Sequence, residues 1–179
     1  MPEDKEKVER LNELCRVAVS LGAEDARVIK PEEVVVGNWV RMKCQYGCDG
    51  YGRTLACPPF SPTPEGFSRV LSEYRHAILV RMTPPDLKEF SLFCHDLMLR
   101  LEREAFLRGH YKAIGFATDG CPYCEECNLE SCVHPEKLRP SMEGCGIDVF
   151  ATVKKAGYEI GVYKDRSAKP SFYGLLLVE

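Results

Sequence analysis

Residues 4–21 place Val8, Leu11, Leu14, Cys15, Ala18 and Leu21 on one stripe at helical spacing, and Gly22 follows where such a helix would stop. The spacing predicts an amphipathic first helix. Ala26–Ile29 and Val34–Met42 are rich in Val, Ile and Trp and read as strands, the second leading directly into Cys44. Periodicity then vanishes until Thr63-Pro64-Glu65, a helix start expected to run to about Tyr74. His76–Met82 is a short buried-strand run. Pro85 opens a long helical pattern through Leu87, Phe90, Phe93, Leu97, Leu101 and Ala105 to about Leu107, closed by Gly109. Tyr111–Ala117 reads as a further strand and Ile147–Ala156 as a helix ended by Gly157. Tyr158–Tyr163 and Phe172–Val178 complete the pattern as two strands joined by the polar turn Lys164–Pro170.

Strands alternating with helices predict an α/β (α+β) fold, a single domain over residues 1–179. It would hold a mixed β-sheet with flanking helices and cysteine-rich loops gathered at one end. Those loops are residues 43–63 and 118–146. The second carries four cysteines and three prolines between 118 and 141 with almost no aliphatic residues, so it cannot form a core by itself. Something else must organise it, and a metal centre is the expected agent.

Composition narrows the function. The chain has 179 residues, 45% of them hydrophobic and 28% charged, which is globular rather than disordered. A formal net charge of −3 gives no positive field with which to hold a polyanion, so no nucleic-acid partner is expected. The first residues are charged, without a signal-peptide core, and nowhere do 18 apolar residues run together. The expectation is a soluble, cytoplasmic protein with no membrane partner.

Ten cysteines in such a protein point to metal or thiol chemistry rather than a disulfide framework. Cys15 and Cys94 lie in helical apolar patterns and read as small core residues. Cys121, Cys124, Cys127 and Cys132 form a C-x2-C-x2-C-x4-C run with Pro135 behind it, similar to ferredoxin ligation, in which a tight loop wraps thiolates around a [4Fe-4S] cubane. The last spacing is four rather than three, so Cys132 could also serve a neighbouring cluster. A four-thiolate zinc site is the alternative.

Cys44, Cys48 and Cys57 form a second constellation with Gly47, Gly50 and Gly52 between them, glycines that let backbone N–H groups approach an anionic centre. Three ligands leave a fourth position for Cys145, Cys132, or a substrate or water; Cys145 lies in a loop entering a helix. Eight candidate ligands correspond to one or two clusters. Arg53 and Arg139 flank the two loops and are candidate binders of a small anionic or thiol substrate. His134 is placed near the ligands rather than among them, and Tyr123 is a candidate cover for a cluster.

These motifs together, Cys57-Pro58-Pro59-Phe60-Ser61-Pro62-Thr63-Pro64, the four-cysteine run, and the stretch from Arg139-Pro140-Ser141-Met142-Glu143-Gly144-Cys145 through Gly146-Ile147-Asp148-Val149-Phe150-Ala151-Thr152, resemble the predicted metal-binding family known as domain of unknown function 2284. The resemblance spans about Ala23 to Val178. It implies metal binding in prokaryotes, largely anaerobes, with no assigned reaction.

The sequence contains no phosphate-binding P-loop, no dinucleotide glycine fingerprint after a strand and no Ser-His-Asp signature, which disfavours nucleotide enzymes and hydrolases. Two functions remain. One is an iron-sulfur protein for redox, electron transfer or sulfur handling, with an open iron site and a redox partner protein or small anionic or thiol ligand. The other is a non-catalytic zinc- or metal-binding module that recruits a partner. Whether the protein is an enzyme is left open by the residues.

Overall fold

A computed structural model describes residues 2–162 and 169–179, with side chains from residue 6 onward. Helix α1, Pro2–Ser20, ends at Gly22, whose φ of 114° is the left-handed conformation a chain reversal requires. Strand β1, Asp25–Ile29, and helix α2, Asn38–Gly47, follow, then α3, Pro64–Leu71, begun by the Thr63 hydroxyl accepting from the Gly66 N–H at 3.1 Å. Next come β2, Ala77–Met82, α4, Phe90–Leu107, and β3, Ile114–Phe116. The chain closes with α5, Val149–Lys155, and β4, Phe172–Leu177.

The fold is α+β around one four-stranded sheet of order β1-β2-β4-β3. Every hydrogen-bonded strand pair is antiparallel, which corrects the expected mixed sheet. Because β2 and β3 both run against β4, they share a direction, and α4 connects them with β4 inserted between. The alternation of helix and strand is real, but the crossover spans two strand positions.

Both faces of the sheet are covered. On β2, Ile78, Val80 and Met82 face Leu11, Leu14 and Ala18 of α1 and Leu97, Met98 and Leu101 of α4. Ala77 and Leu79 face the other way, into a second core with Phe67 and Leu71 of α3 and Val153 of α5. Period-two alternation therefore buries apolar residues in both directions, which is why these strands read as unbroken apolar runs.

Two expected strands are corrected. Val34–Met42 is not one strand: Gly37 splits it, leaving Val36 paired with Ile147 in a single antiparallel bridge while Asn38 opens α2. Trp39, Met42 and Tyr46 then fall on the exposed side of that helix, so Cys44 is delivered by a helix. Tyr158–Tyr163 forms no strand over its described residues 158–162. Tyr158 instead caps α5, its N–H donating to the Val153 carbonyl at 3.1 Å, and its ring packs under Arg27. Tyr163 and most of the predicted turn Lys164–Pro170 lie outside the described residues. Among the described residues no helix is long and apolar enough to cross a membrane.

Gly174 of β4 packs closely against α4. A Cβ there would stand 2.5 Å from Met98 Sδ and 3.1 Å from the Phe116 carbonyl oxygen. Gly174→Ala is expected to destabilise by about 1–3 kcal/mol through overpacking, lowering the melting temperature by roughly 3–10 °C. Thermal denaturation followed by circular dichroism checks this, and an unchanged midpoint would show that α4 yields freely.

Candidate metal centre

The second cysteine loop leaves the sheet at the end of β3 and returns beside its own start. Ala117 forms a parallel bridge with Ser141, its N–H donates to the Pro140 carbonyl at 3.0 Å, and the Met142 N–H donates to the Ala117 carbonyl at 2.9 Å. Between these ends the chain has no regular structure, and α4 supplies the anchors. The Ser91 hydroxyl donates to the Gly120 carbonyl at 3.0 Å, and the Tyr123 hydroxyl donates to Asp96 Oδ1 at 2.7 Å. Arg139 grips Glu102 with two prongs, Nε to Oε2 at 2.7 Å and Nη2 to Oε1 at 2.5 Å. Ser91, His95, Met98 and Glu102 follow one another at helical spacing, so α4 turns one side to the loop. Within the loop, Asn128 Oδ1 accepts from the Glu130 and Ser131 N–H groups, forming the turn that separates Cys127 from Cys132.

This wrapping brings Cys121, Cys124, Cys127 and Cys132 onto one small recess of about 20 Å³, with Tyr123 and His134 beside them. Cys121 has its thiol pKa raised, first by burial and further by the charges of Cys124, Cys127 and Cys132. A cation bound there would favour the thiolate form of Cys121.

The first cysteine loop is built differently. Cys44 sits in the last turn of α2, and the Cys48 N–H closes that turn on the Cys44 carbonyl at 3.3 Å. Gly52, at φ 72°, turns the chain back so that its N–H reaches the Pro58 carbonyl at 2.8 Å. Arg41 holds this loop in place, donating to the carbonyls of Pro59, Ser61, Pro62 and Gly144. Cys44, Cys48 and Cys57 consequently line one cavity of about 800 Å³, shared with Asp119, Glu143 and apolar walls that include Trp39, Phe90 and Phe172. The two loops meet here: a Cβ on Gly120 would stand 3.7 Å from Cys57 Sγ.

Burial is the largest cause raising the Cys44 and Cys57 thiol pKa values; neighbouring thiols and Glu143 raise them further, while Arg41 lowers that of Cys44. Glu143 is itself held up to about 6, chiefly by burial, and its Oε2 is out of solvent with no hydrogen-bond partner. Among the described residues, no three or more His, Cys, Asp or Glu side chains are gathered so that they could hold a metal ion.

The remaining candidates separate. Cys145 does not line the cavity; it is fully buried in the core with Met142 and Ile147, its thiol pushed up to about 12 by burial. Cys94 is likewise core, and Cys15 packs half-buried against the same cluster, as their helical patterns suggested. Arg139 is occupied by Glu102 and by the Leu138 carbonyl at 2.7 Å, so its role is to anchor the loop. Arg53 is exposed and stands off the cavity wall. His134 is half-exposed, with Nδ1 3.9 Å from Glu136.

Sequence reasoning missed three residues. Glu143 and Asp119 line the cavity, and Asp119 adopts φ 64°, unusual for a non-glycine residue. His95 lies fully buried, edge-on to Tyr123 at 6.1 Å between centroids. The acid of Ser141-Met142-Glu143-Gly144-Cys145 was a legible signal, since an acid set between a methionine and a glycine beside a cysteine is not an ordinary surface position.

A family model described as a predicted metal-binding protein (DUF2284) matches residues 27–178. No curated protein and no solved structure matches the chain.

Arg139→Met is expected to leave the partly buried Glu102 without its cationic partner, only the Gly115 N–H still donating to it, a loss of about 1–3 kcal/mol. Hydrogen exchange across residues 118–140 should accelerate at least tenfold while β2 and β4 stay protected. Equal acceleration everywhere would contradict a local anchoring role.

Proposed function

The chain belongs to the DUF2284 family of predicted metal-binding proteins, and on that premise we propose that it is an iron-sulfur protein of redox or sulfur-handling function. Cys121, Cys124, Cys127 and Cys132 would carry one [4Fe-4S] cluster, and Cys44, Cys48 and Cys57 a second centre. The observation that carries the reading is the division of the cysteines into two groups: four around a tight recess, and three on the wall of a wide cavity. A closed set of four thiolates suits electron transfer, since reduction requires no vacant iron. Three thiolates facing open space suit a centre that meets a ligand. When bound, such clusters supply one-electron chemistry whose potential is tuned by burial and neighbouring hydrogen bonds.

The protein's own residues have definable tasks in this reading. Tyr123, tied to Asp96, shields one side of the four-cysteine recess from water. Exposed Glu125, Glu126 and Glu130 lie on the same loop, between the cysteines in sequence, and their negative charge suits a redox partner presenting a basic patch. The cavity, within the size range of small-molecule sites, admits a small anionic or thiol ligand to the second centre. The cytoplasmic location belongs to this reading as well, because free thiols persist in a reducing compartment.

A second reading, a four-thiolate structural zinc site at Cys121, Cys124, Cys127 and Cys132, is favoured by the size of that recess. About 20 Å³ suits a single ion better than a cubane. The successive x2 spacings favour the cluster. Anaerobic purification followed by iron, sulfide and zinc assays separates the two readings. About four irons and four sulfides per occupied site support the first, whereas stoichiometric zinc without sulfide establishes the second. With two centres, Cys44→Ser combined with Cys57→Ser should halve the metal content; total loss from that change would indicate one shared centre.

A further inference from the structure

We infer that the cavity beside the first cysteine loop is a binding site for a planar aromatic molecule carrying a positive charge. The inference concerns the walls of the cavity and does not depend on whether its cysteines hold a metal.

Size sets the class first. A volume of about 800 Å³ holds a cofactor-sized organic molecule, and a small inorganic ion would fill only a fraction of it. The walls then decide the chemistry. Aromatic rings reach the cavity from four separate elements: Trp39 of α2, Phe90 of α4, Phe150 of α5 and Phe172 of β4. Two of them are set by each other, since Phe90 and Phe172 stack with centroids 4.5 Å apart and planes 21° from parallel. The Trp39 indole is set by the backbone at Gly37, where a Cβ would stand 2.9 Å from its Cδ1, yet 53% of the residue is exposed. Phe150 is 45% exposed. Rings held in place but left this open present flat apolar faces that another ring can cover.

Charge selects among aromatic molecules. Asp49, Asp119, Glu143 and Asp148 line the cavity against one base, Lys43, so the wall carries an excess of acid. Glu143 accepts from its own backbone N–H, while its Oε2 is out of solvent with no partner. The guanidinium near Cys44 does not offset this at the wall: Arg41 does not line the cavity and donates to the carbonyls of Pro59, Ser61, Pro62 and Gly144. A cation between these rings and carboxylates is attracted by both, through the ring faces and through the acids. An anion of the same shape is repelled.

The test uses the full chain as purified, its metal content measured alongside, and two probes built on one ring system: cationic N-methylacridinium and anionic acridine carboxylate. Trp39 is the chain's single tryptophan, so quenching of its fluorescence reports occupancy of this cavity, and calorimetry supplies the affinities. N-methylacridinium should quench Trp39 and bind at least about tenfold more tightly than the carboxylate. Phe150→Ala, a change at an exposed position, should weaken both probes by roughly three- to tenfold. Asp49→Asn combined with Asp119→Asn should bring the two affinities to within about threefold of each other. If the double variant fails to fold, Asp49→Asn alone, at an exposed position, must still narrow the gap. Equal or tighter binding of the carboxylate, no quenching of Trp39 by either probe, affinities indifferent to Phe150→Ala, or a gap that the aspartate changes leave intact would each overturn the inference. The iron, sulfide and zinc contents decide the reading of the cysteines separately, so a metal-loaded chain that binds neither probe sinks this inference alone.

Discussion

The paired hydrogen bonds between Glu102 and Arg139 are the interaction on which the cysteine architecture depends. Residues 118–140 contain almost nothing that could be buried to offset the entropy of ordering them. They hold their place because both ends are fixed: Ala117 and Ser141 lie side by side, and Arg139 is clamped to α4 immediately before the return. Glu102 does more than hold Arg139, since its Oε2 also accepts from the Gly115 N–H of β3 at 2.7 Å. One carboxylate thus joins helix, strand and loop. A lysine in place of Arg139 could not span both oxygens in this way.

The same closure links the two candidate centres. Once Ser141 is fixed beside Ala117, the next residues must enter the other side of the sheet, where Met142, Cys145 and Ile147 join the core with α3 and α5. Glu143 is carried to the cavity by this path, and Gly120 at the loop's start is carried against Cys57. Fully buried His95 lies where the two regions adjoin, its ring against Tyr123 and its charge balance shared with Asp119. Burial lowers the His95 pKa, against the opposing pull of the Thr118 and Asp119 backbone and of the Asp119 and Asp96 charges.

Legibility in the sequence followed how local the determining physics was. Helices α1, α3 and α4 were readable because each carries its stripe and its terminator in contiguous residues, Gly22, Thr63 and Gly109 among them. The cysteine run of the second loop was readable for the same reason. The sheet directions were not, because the insertion of β4 between β2 and β3 is decided by pairing across more than fifty residues. Val34–Met42 misled because β-branched and aromatic residues straddle Gly37. The helix beyond it exposes Trp39 and Met42, reversing the burial that composition suggests.

Cys145 is the instructive case within the site. Counting cysteines favoured it as a ligand, yet it occupies the third position of a 3₁₀ turn that begins with Glu143. With three residues per turn, positions two apart cannot face the same way. If Glu143 looks into the cavity, Cys145 must look elsewhere, and the side available is the packed core between Met142 and Ile147. A small thiol fits there at full burial, where a carboxylate would not. Gly146 then takes φ 83° and lies so close to Pro64 that a Cβ would come within 2.5 Å, fixing the turn against α3. The cysteine that resembles a ligand therefore acts as the apolar anchor of the turn, and the acid two residues earlier is held at the cavity wall because the thiol is not.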